Sequence, residues 1–166
     1  MNQERVLFEH RFTINRPIDQ CFYYLGHTFE NASVWMKGCR RVIAQSGYEN
    51  YGMWLGKRYY RSMAGPLSIG TLTREEWVHI FEPGKRFVIR TDIPGVEPNW
   101  DYNFTALDEQ RTEFHYRVYT HNHQWFSRYI VQPLFMAAAR PRLNFSHPRM
   151  VELLDASSPL LSQSPA

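Results

Sequence analysis

The chain has 166 residues, of which 43% are hydrophobic and 21% are charged. That length suits one domain with its own core, and that composition excludes disorder as the expected state. The formal charge of +3 is small, and no basic run is longer than a pair such as Arg40-Arg41. The charge pattern therefore gives no support to a nucleic-acid partner.

The number of cysteines and the N-terminal sequence indicate in which cellular compartment the protein is expected. Cys21 and Cys39 are too few for a disulfide framework and lack metal-ligand spacing. The first residues lead directly into a strand pattern, and no stretch approaches 18 apolar residues. We therefore expect a cytoplasmic protein without a transmembrane segment; its oligomeric state is open.

The first predicted strand is followed by two short helices. Its apolar positions recur with a period of two and include one histidine: Val6, Phe8, His10, Phe12 and Ile14. Pro17 is well placed to begin a helix that ends near Gly26. A second short helix or turn is predicted over residues 31–36.

Six further strands are predicted, separated by Gly- and Pro-containing turns such as Pro83-Gly84. Their ranges are 40–47, 54–64, 68–81, 86–92, 99–107 and 112–121. Short connections between consecutive strands imply an antiparallel sheet.

The last third of the chain predicts a long amphipathic helix over residues 125–154. One face is predicted to pack on the sheet and comprises Phe126, Tyr129, Ile130, Pro133, Leu134, Ala137 and Ala138. Proline removes a helical hydrogen bond and clashes with the preceding turn, so breaks or kinks are expected near Pro133 and Pro141. Pro148 is expected to start a final short helix. Residues 1–156 are predicted to form one domain, with residues 157–166 as a disordered tail.

These elements predict an α+β fold in which the sheet curves around the C-terminal helix. One helix cannot fill the concave side of a twisted sheet completely, so an internal cavity is expected between them.

Several fold markers carry a resemblance to a known family. They are the strand followed by a Pro-initiated helix at residues 14–22, Trp35, the turn residues Gly52, Gly65 and 82–86, and the pair Pro133-Leu134. The chain resembles the START-like, or SRPBCC, superfamily, which includes polyketide cyclases/dehydratases and birch-pollen-allergen-type proteins. The resemblance implies a helix-grip fold, with a seven-stranded antiparallel sheet around the long helix and a deep pocket for hydrophobic molecules.

Candidate ligand-binding residues come from the first strand, the last hairpin, the helix and the family resemblance. They are Phe8, His10, Trp35, Trp100, Tyr102, Phe104, Phe114, Tyr116, Phe126, Tyr129, Ile130 and Leu134. Tyr102, Tyr116 and His10 are also catalytic candidates, because their side chains can orient a substrate oxygen or move a proton. The alternative is that all three are satisfied core residues.

The charged residues of the strands leave a choice open. Arg74 and Glu76 alternate with Glu75 and His79, and both faces of this strand mix polar and apolar residues. If the first set faces inward, Arg74 and Glu76 would form a buried pair, which would indicate function. The orientations of Arg58, Arg61 and Arg90 are equally open, and a single inward arginine could capture a carboxylate or lipid.

No cofactor or metal is predicted. His121 and His123 lack a third ligand at a suggestive spacing. Neither a phosphate-binding loop nor a nucleophile elbow occurs in the sequence. Two functions remain open: binding of a hydrophobic small molecule such as a lipid, quinone or polyketide, or a cyclase, dehydratase or isomerase activity on such a ligand.

Overall fold

The computed structural model describes residues 4–65 and 69–156, where seven strands form one antiparallel sheet in the order β1-β7-β6-β5-β4-β3-β2. The strands are β1 (Arg5–Ile14), β2 (Cys39–Ala44), β3 (Arg58–Ala64), β4 (Thr71–Glu82), β5 (Arg86–Thr91), β6 (Asn99–Ala106) and β7 (Thr112–Thr120). The predicted seven-stranded sheet with a long C-terminal helix is confirmed. The predicted tail, 157–166, and residues 66–68 lie outside the described residues.

The chain after β1 forms the two predicted short helical pieces. Helix α1 (Ile18–Phe22) continues into a π-helical turn (Tyr23–His27), and a 3-10 helix (Phe29–Val34) follows. Their buried side chains close one end of the core.

Strand β3 begins at Arg58, so the predicted start at residue 54 is wrong. Gly56 adopts φ +86, and the Lys57 N–H donates to the Trp54 carbonyl in a tight turn. The fully buried Lys57 ammonium donates to the carbonyls of Gly52 at 2.6 Å and Asn50 at 2.9 Å. These contacts hold the segment before β3 as a loop rather than as a strand.

The C-terminal helix is continuous from Trp125, so the predicted breaks and the predicted start of a separate helix at Pro148 are wrong. A π-helical turn (Ser127–Val131) leads into α2 (Gln132–Ala156), which contains both Pro141 and Pro148. Contacts hold the helix directly after Pro141. Arg142 donates to the Ala64 carbonyl at 3.0 Å, and Ser146 accepts from the Lys37 N–H at 2.8 Å. Tertiary packing thus outweighs the local cost of proline, about 3 kcal/mol.

The face that α2 buries is not the predicted one. Its buried residues are Gln132, Met136, Ser146, His147, Met150 and Leu154. Phe126, Tyr129 and Leu134 are exposed instead, at 54%, 67% and 67%. The helix is apolar on both sides, so the helical period alone did not identify the packed side.

The core lies between the concave face of the sheet and α2. On the last hairpin, register pairs Trp100 with Val118, Tyr102 with Tyr116, and Phe104 with Phe114. All six are buried, as their alternation predicts. Among the described residues, no helix combines the length and apolar character needed to cross a bilayer.

Candidate functional site

A cavity of about 250 Å³ lies between α2 and the sheet, bounded by side chains from β3 to β7. Its apolar wall comprises Met36, Met63, Leu72, Ile93, Trp100, Phe135, Ala138, Ala139 and Leu143. Its polar wall comprises Lys37, Arg61, Arg74, Thr91, Tyr116, Arg142 and Ser146. An apolar cavity with a few convergent polar groups is the usual form of a small-molecule site.

A buried ion pair stands at the sheet side of this cavity. Arg61 on β3 is 6% exposed and Glu76 on β4 is fully buried; the guanidinium Nη2 lies 2.5 Å from the Glu76 Oε1. Both face inward because Tyr59 pairs with Glu76, and Arg61 lies two residues further along β3. Arg61 is therefore the buried arginine of this face. Arg74 pairs with Arg61 across the strands and lines the cavity, but it is exposed, and Glu76 pairs with Arg61 instead.

Two neighbouring strands complete a hydrogen-bond chain behind the ion pair. The Thr91 hydroxyl donates to Glu76 Oε1 at 2.6 Å, and the Trp100 indole N–H donates to the Thr91 oxygen at 2.7 Å. Burial raises the pKa of Glu76, whereas the Arg61 charge and the Thr91 hydrogen bond oppose this rise. These hydrogen bonds hold the Glu76 carboxylate in place, and that carboxylate orients Arg61.

The ion pair is not fully satisfied. Among the described residues, Arg61 Nε and Glu76 Oε2 have no hydrogen-bond partner. Arg61 Nη1 donates only to the Met36 thioether, at 3.1 Å, and sulfur is a weak acceptor. The guanidinium also lies over the Trp100 ring, 5.2 Å from its centroid. Arg61 therefore retains donor capacity beside an apolar cavity.

Two tyrosines lie next to this arginine. Tyr116 lines the cavity, and its ring makes an edge contact with Tyr102 at 5.1 Å. Burial raises the pKa of both phenols well above the ordinary value. Both hydroxyls are neutral near pH 7, as ordinary tyrosines are, and they interact with each other through a hydrogen bond.

His147 of α2 packs on the other side of Tyr116, with ring centroids 4.4 Å apart. Its Nδ1 has no hydrogen-bond partner among the described residues. Burial, with a smaller contribution from His10, lowers the pKa of His147 to about 3. This ring is a neutral core residue near pH 7.

The structure separates the sequence-predicted residues into three groups. Trp100 and Tyr116 line the cavity. Trp35, Tyr102, Phe104 and Phe114 are buried in the core, and Phe8 packs against Tyr116 and His147. His10 is exposed beside Phe12, and Phe126, Tyr129, Ile130 and Leu134 lie on the exposed side of the C-terminal helix.

Sequence reasoning missed most of the helix-side wall and Thr91. Phe135, Ala139 and Leu143 recur at four-residue steps, a helical spacing that the exposed apolar face of the same helix also shows. No pattern in the sequence identifies Thr91 as a site residue, because its role depends on its pairing with Glu76 in β4.

The His121-Asn122-His123 segment lies apart, in an open polar pocket with Arg90 and Glu97. Arg90 and Glu97 form an ion pair with each other. Across the described residues, no group of three or more His, Cys, Asp or Glu side chains is placed to hold a metal ion.

No protein-family model and no curated protein sequence matches the chain. Solved structures do match. The Zhui aromatase/cyclase from Streptomyces sp. R1128 superposes with a TM-score of 0.72 at 11% identity, over 98% of this chain and 100% of that one. Ara h 8.0201 superposes with a TM-score of 0.67 at 8% identity, over 93% of this chain and 100% of that one.

The chain has the helix-grip fold. This confirms the START-like resemblance at the level of the fold, because these identities are too low to show more. The di-domain ARO/CYC StfQ from the steffimycin biosynthetic pathway also matches, with a TM-score of 0.66 at 12% identity. The match covers 93% of this chain but 50% of StfQ, so this helix-grip chain spans half of that protein.

Proposed function

We propose that this helix-grip protein binds a small apolar molecule carrying a carbonyl or carboxylate oxygen in the cavity between the sheet and α2. The observation that carries the proposal is Arg61, a buried guanidinium that lines an apolar cavity with a thioether as the acceptor for its Nη1. A ligand oxygen would replace this weak acceptor with a strong one.

The volume bounds the enclosed part of the ligand. An apolar cavity of about 150 Å³ holds benzene. The 250 Å³ here therefore suits one or two fused rings, or a segment of a longer chain that leaves through the opening. Ring-bearing quinones and polyketides, and the head of a lipid, belong to this class.

The charges around the cavity favour an oxygen-bearing ligand over a purely apolar one. Lys37, Arg74 and Arg142 line it together with Arg61, and no acidic side chain of residues 4–65 and 69–156 does. Glu76 lies behind Arg61 and compensates that one charge. A carboxylate or polarised carbonyl is thus electrostatically matched to this wall.

Paired probes test the proposal: 1-naphthoate, which carries a carboxylate, and naphthalene, which does not. We expect naphthoate to bind more tightly by about ten- to a hundredfold, because a hydrogen bond to a charged group contributes about 1.5–3 kcal/mol. Isothermal titration calorimetry with both probes measures the ratio. Failure of both probes to bind would reject the cavity as a ligand site.

Variants assign the preference to Arg61. Arg61→Met alone leaves Glu76 buried without its partner, so we expect destabilisation of about 3–5 kcal/mol. The double variant Arg61→Met/Glu76→Gln removes both charges and is the informative one. It should retain naphthalene binding and lose the preference for naphthoate. A naphthoate preference that survives in the double variant contradicts the assignment.

A second candidate function is cyclisation or dehydration of a polyketide-like ligand in the same cavity. It is favoured by the Tyr116 hydroxyl and the Arg61 guanidinium lining one cavity, and by the two aromatase/cyclases among the matching folds. The cavity would hold a flexible chain in a reactive shape, while Arg61 and neutral Tyr116 hydrogen-bond the carbonyl oxygen under attack. In ring closure, a methylene carbon between two carbonyls loses a proton and bonds to the carbonyl carbon, whose π electrons pass to oxygen and take up a proton to give a hydroxyl. Dehydration then removes that hydroxyl and a hydrogen from the adjacent carbon as one water and leaves a carbon–carbon double bond.

Tyr116→Phe separates the two functions. We expect this variant to bind 1-naphthoate normally but to cyclise a linear poly-β-carbonyl thioester about a hundredfold more slowly, followed by mass spectrometry for loss of water. Tyr119→Phe is the matched control, since Tyr119 is a buried tyrosine of the same strand that does not line the cavity. Absence of turnover in the wild-type protein would leave binding as the function.

A further inference from the structure

The C-terminal helix presents an apolar outer face to solvent. We define the outer face as Trp125, Phe126, Tyr129, Ile130, Leu134 and Phe145, whose exposures run from 43% for Ile130 to 71% for Trp125. A helix that packs one side on a core normally carries polar residues on its other side. Here Ala137, Ala138 and Pro141 are exposed as well. An apolar outer face of this kind indicates a surface that another apolar phase covers.

The charge around this face is mainly positive. Residues 114–151 contain no Asp or Glu. Arg128 and Arg140 are exposed along the same helix, and the Arg128 guanidinium lies over the Tyr129 ring, 5.6 Å from its centroid. Arg149 is exposed as well but forms an ion pair with Glu152 at 3.4 Å. A surface that covers the outer face is therefore electrostatically complementary to it when that surface is negatively charged.

These two features favour a lipid surface over a second copy of the chain. In a symmetric dimer the same patch meets itself, which would bring Arg128 and Arg140 of both helices into one interface. The acidic residues of the helix, Glu152 and Asp155, are already engaged by Arg149 and Asn15. An anionic bilayer interface can bind both the apolar side chains and the arginines. Trp and Tyr rings lie at the level of the lipid headgroups, and arginines bind lipid phosphates.

We propose that the outer face of the C-terminal helix docks on anionic membranes, lying in the interface with its arginines on the headgroups. This inference goes beyond ligand binding and does not depend on it. The cavity rim lies on the same helix, since Ala138 lines the cavity and is exposed. Leu72 of β4, which is 45% exposed, forms the opposite side of that rim. A docked helix would place this opening near the lipid.

Vesicle co-sedimentation tests the proposal. We compare vesicles of phosphatidylcholine alone with vesicles containing about 30% phosphatidylserine, a strongly anionic surface. The wild-type protein should partition into the anionic vesicles about tenfold more strongly, and high salt should reduce the difference. Protein that stays in the supernatant with both vesicle types overturns the proposal.

Two variant pairs assign the binding to the outer face. Tyr129→Ser/Leu134→Ser should lower partitioning at least about tenfold, whereas Val34→Ser/Leu55→Ser, which changes exposed residues elsewhere, should not. Arg140→Glu should weaken binding to anionic vesicles only, and Arg111→Glu in the β6–β7 turn is its control. Circular dichroism checks that every variant is folded.

Two further measurements keep the outcomes distinct. Binding of 1-naphthoate without vesicles should be unchanged in Tyr129→Ser/Leu134→Ser, so loss of docking is separable from loss of the cavity site. Light scattering gives the oligomeric state. A wild-type dimer that the same double variant converts to a monomer would show that a second copy covers the outer face, and would overturn the proposal. Equal vesicle binding by this variant and its control would overturn it too.

Discussion

At the scale of single residues, the site is a set of polar groups held in an apolar setting. Arg61 and Glu76 are paired but incompletely hydrogen-bonded, and His147 has an unpartnered Nδ1. Each is held in place by neighbours from other elements: Thr91 and Trp100 for the ion pair, and the ring of Tyr116 for the histidine. Under-satisfied buried polar groups of this kind cost stability and are a common mark of functional sites.

His147 should make the protein sensitive to acid. Its pKa is lowered from 6.5 to about 3 by burial, so the folded state takes up its proton less readily than the unfolded state. Its contribution to stability is complete above pH 6.5 and is lost as the pH falls from 6.5 toward 3. One pKa unit corresponds to about 1.4 kcal/mol, so the loss is on the order of 5 kcal/mol.

Urea unfolding of the wild type and His147→Phe between pH 3.5 and pH 8 measures this effect. Above about pH 6.5, the free energies of unfolding of the two proteins should differ by a constant amount. Below that pH, the free energy of unfolding of His147→Phe should rise progressively relative to that of the wild type. His121→Phe, which alters an exposed ring, is the control and should follow the wild type. Parallel curves for wild type and His147→Phe throughout would contradict the prediction.

At the scale of elements, the C-terminal helix is shaped by contacts rather than by its own sequence. The prolines are accommodated because α2 is tied to the sheet along its length. At its C-terminus, Arg16 Nε donates to the Leu154 carbonyl at 2.9 Å, and the Asn15 N–H donates to Asp155 at 3.1 Å. The departure from α-helical geometry is the π-helical turn, which ends just before Pro133.

Pro141→Ala should stabilise the protein. Alanine restores the N–H that can donate to the Ala137 carbonyl, a gain of about 3 kcal/mol, while the more flexible unfolded chain offsets about 1 kcal/mol. The net gain of about 2 kcal/mol should raise Tm by about 4–8 °C for a domain of this size. Differential scanning calorimetry measures it.

Pro133→Ala is the matched control for that change. Pro133 follows the π-helical turn, where the regular α-helical bonding pattern is already interrupted, so we expect a smaller gain. A Tm that falls in Pro141→Ala would show that the proline ring itself contributes packing that the alanine cannot replace.

At the scale of the whole molecule, the helix-grip arrangement keeps a helix and a sheet apart over part of their length. Met150 and Leu154 close the gap at one end of α2, where they are buried against the core. Toward the middle of the helix, the small side chains Ala138 and Ala139 face the cavity instead. The cavity is therefore a consequence of side-chain size along one helix.

A ligand in this cavity should stabilise the whole fold. At a 1-naphthoate concentration of about a hundred times Kd, the wild-type protein should gain about 2.7 kcal/mol. This corresponds to a rise in Tm of about 5–10 °C for a domain of this size. Differential scanning fluorimetry with naphthoate and with naphthalene follows the shift, and no shift with a probe that binds by calorimetry would contradict a single folded-state site.

The sequence by itself determined the order of strands and helices, because a period of two and turn residues are local signals. It also determined that Trp100, Tyr102 and Phe104 share one face. Only the tertiary structure decided that Arg61 is the buried arginine and that Glu76 is its partner, since the register between β3 and β4 brings them together. It alone decided which side of the C-terminal helix is buried, because both sides are apolar and only packing against the sheet distinguishes them.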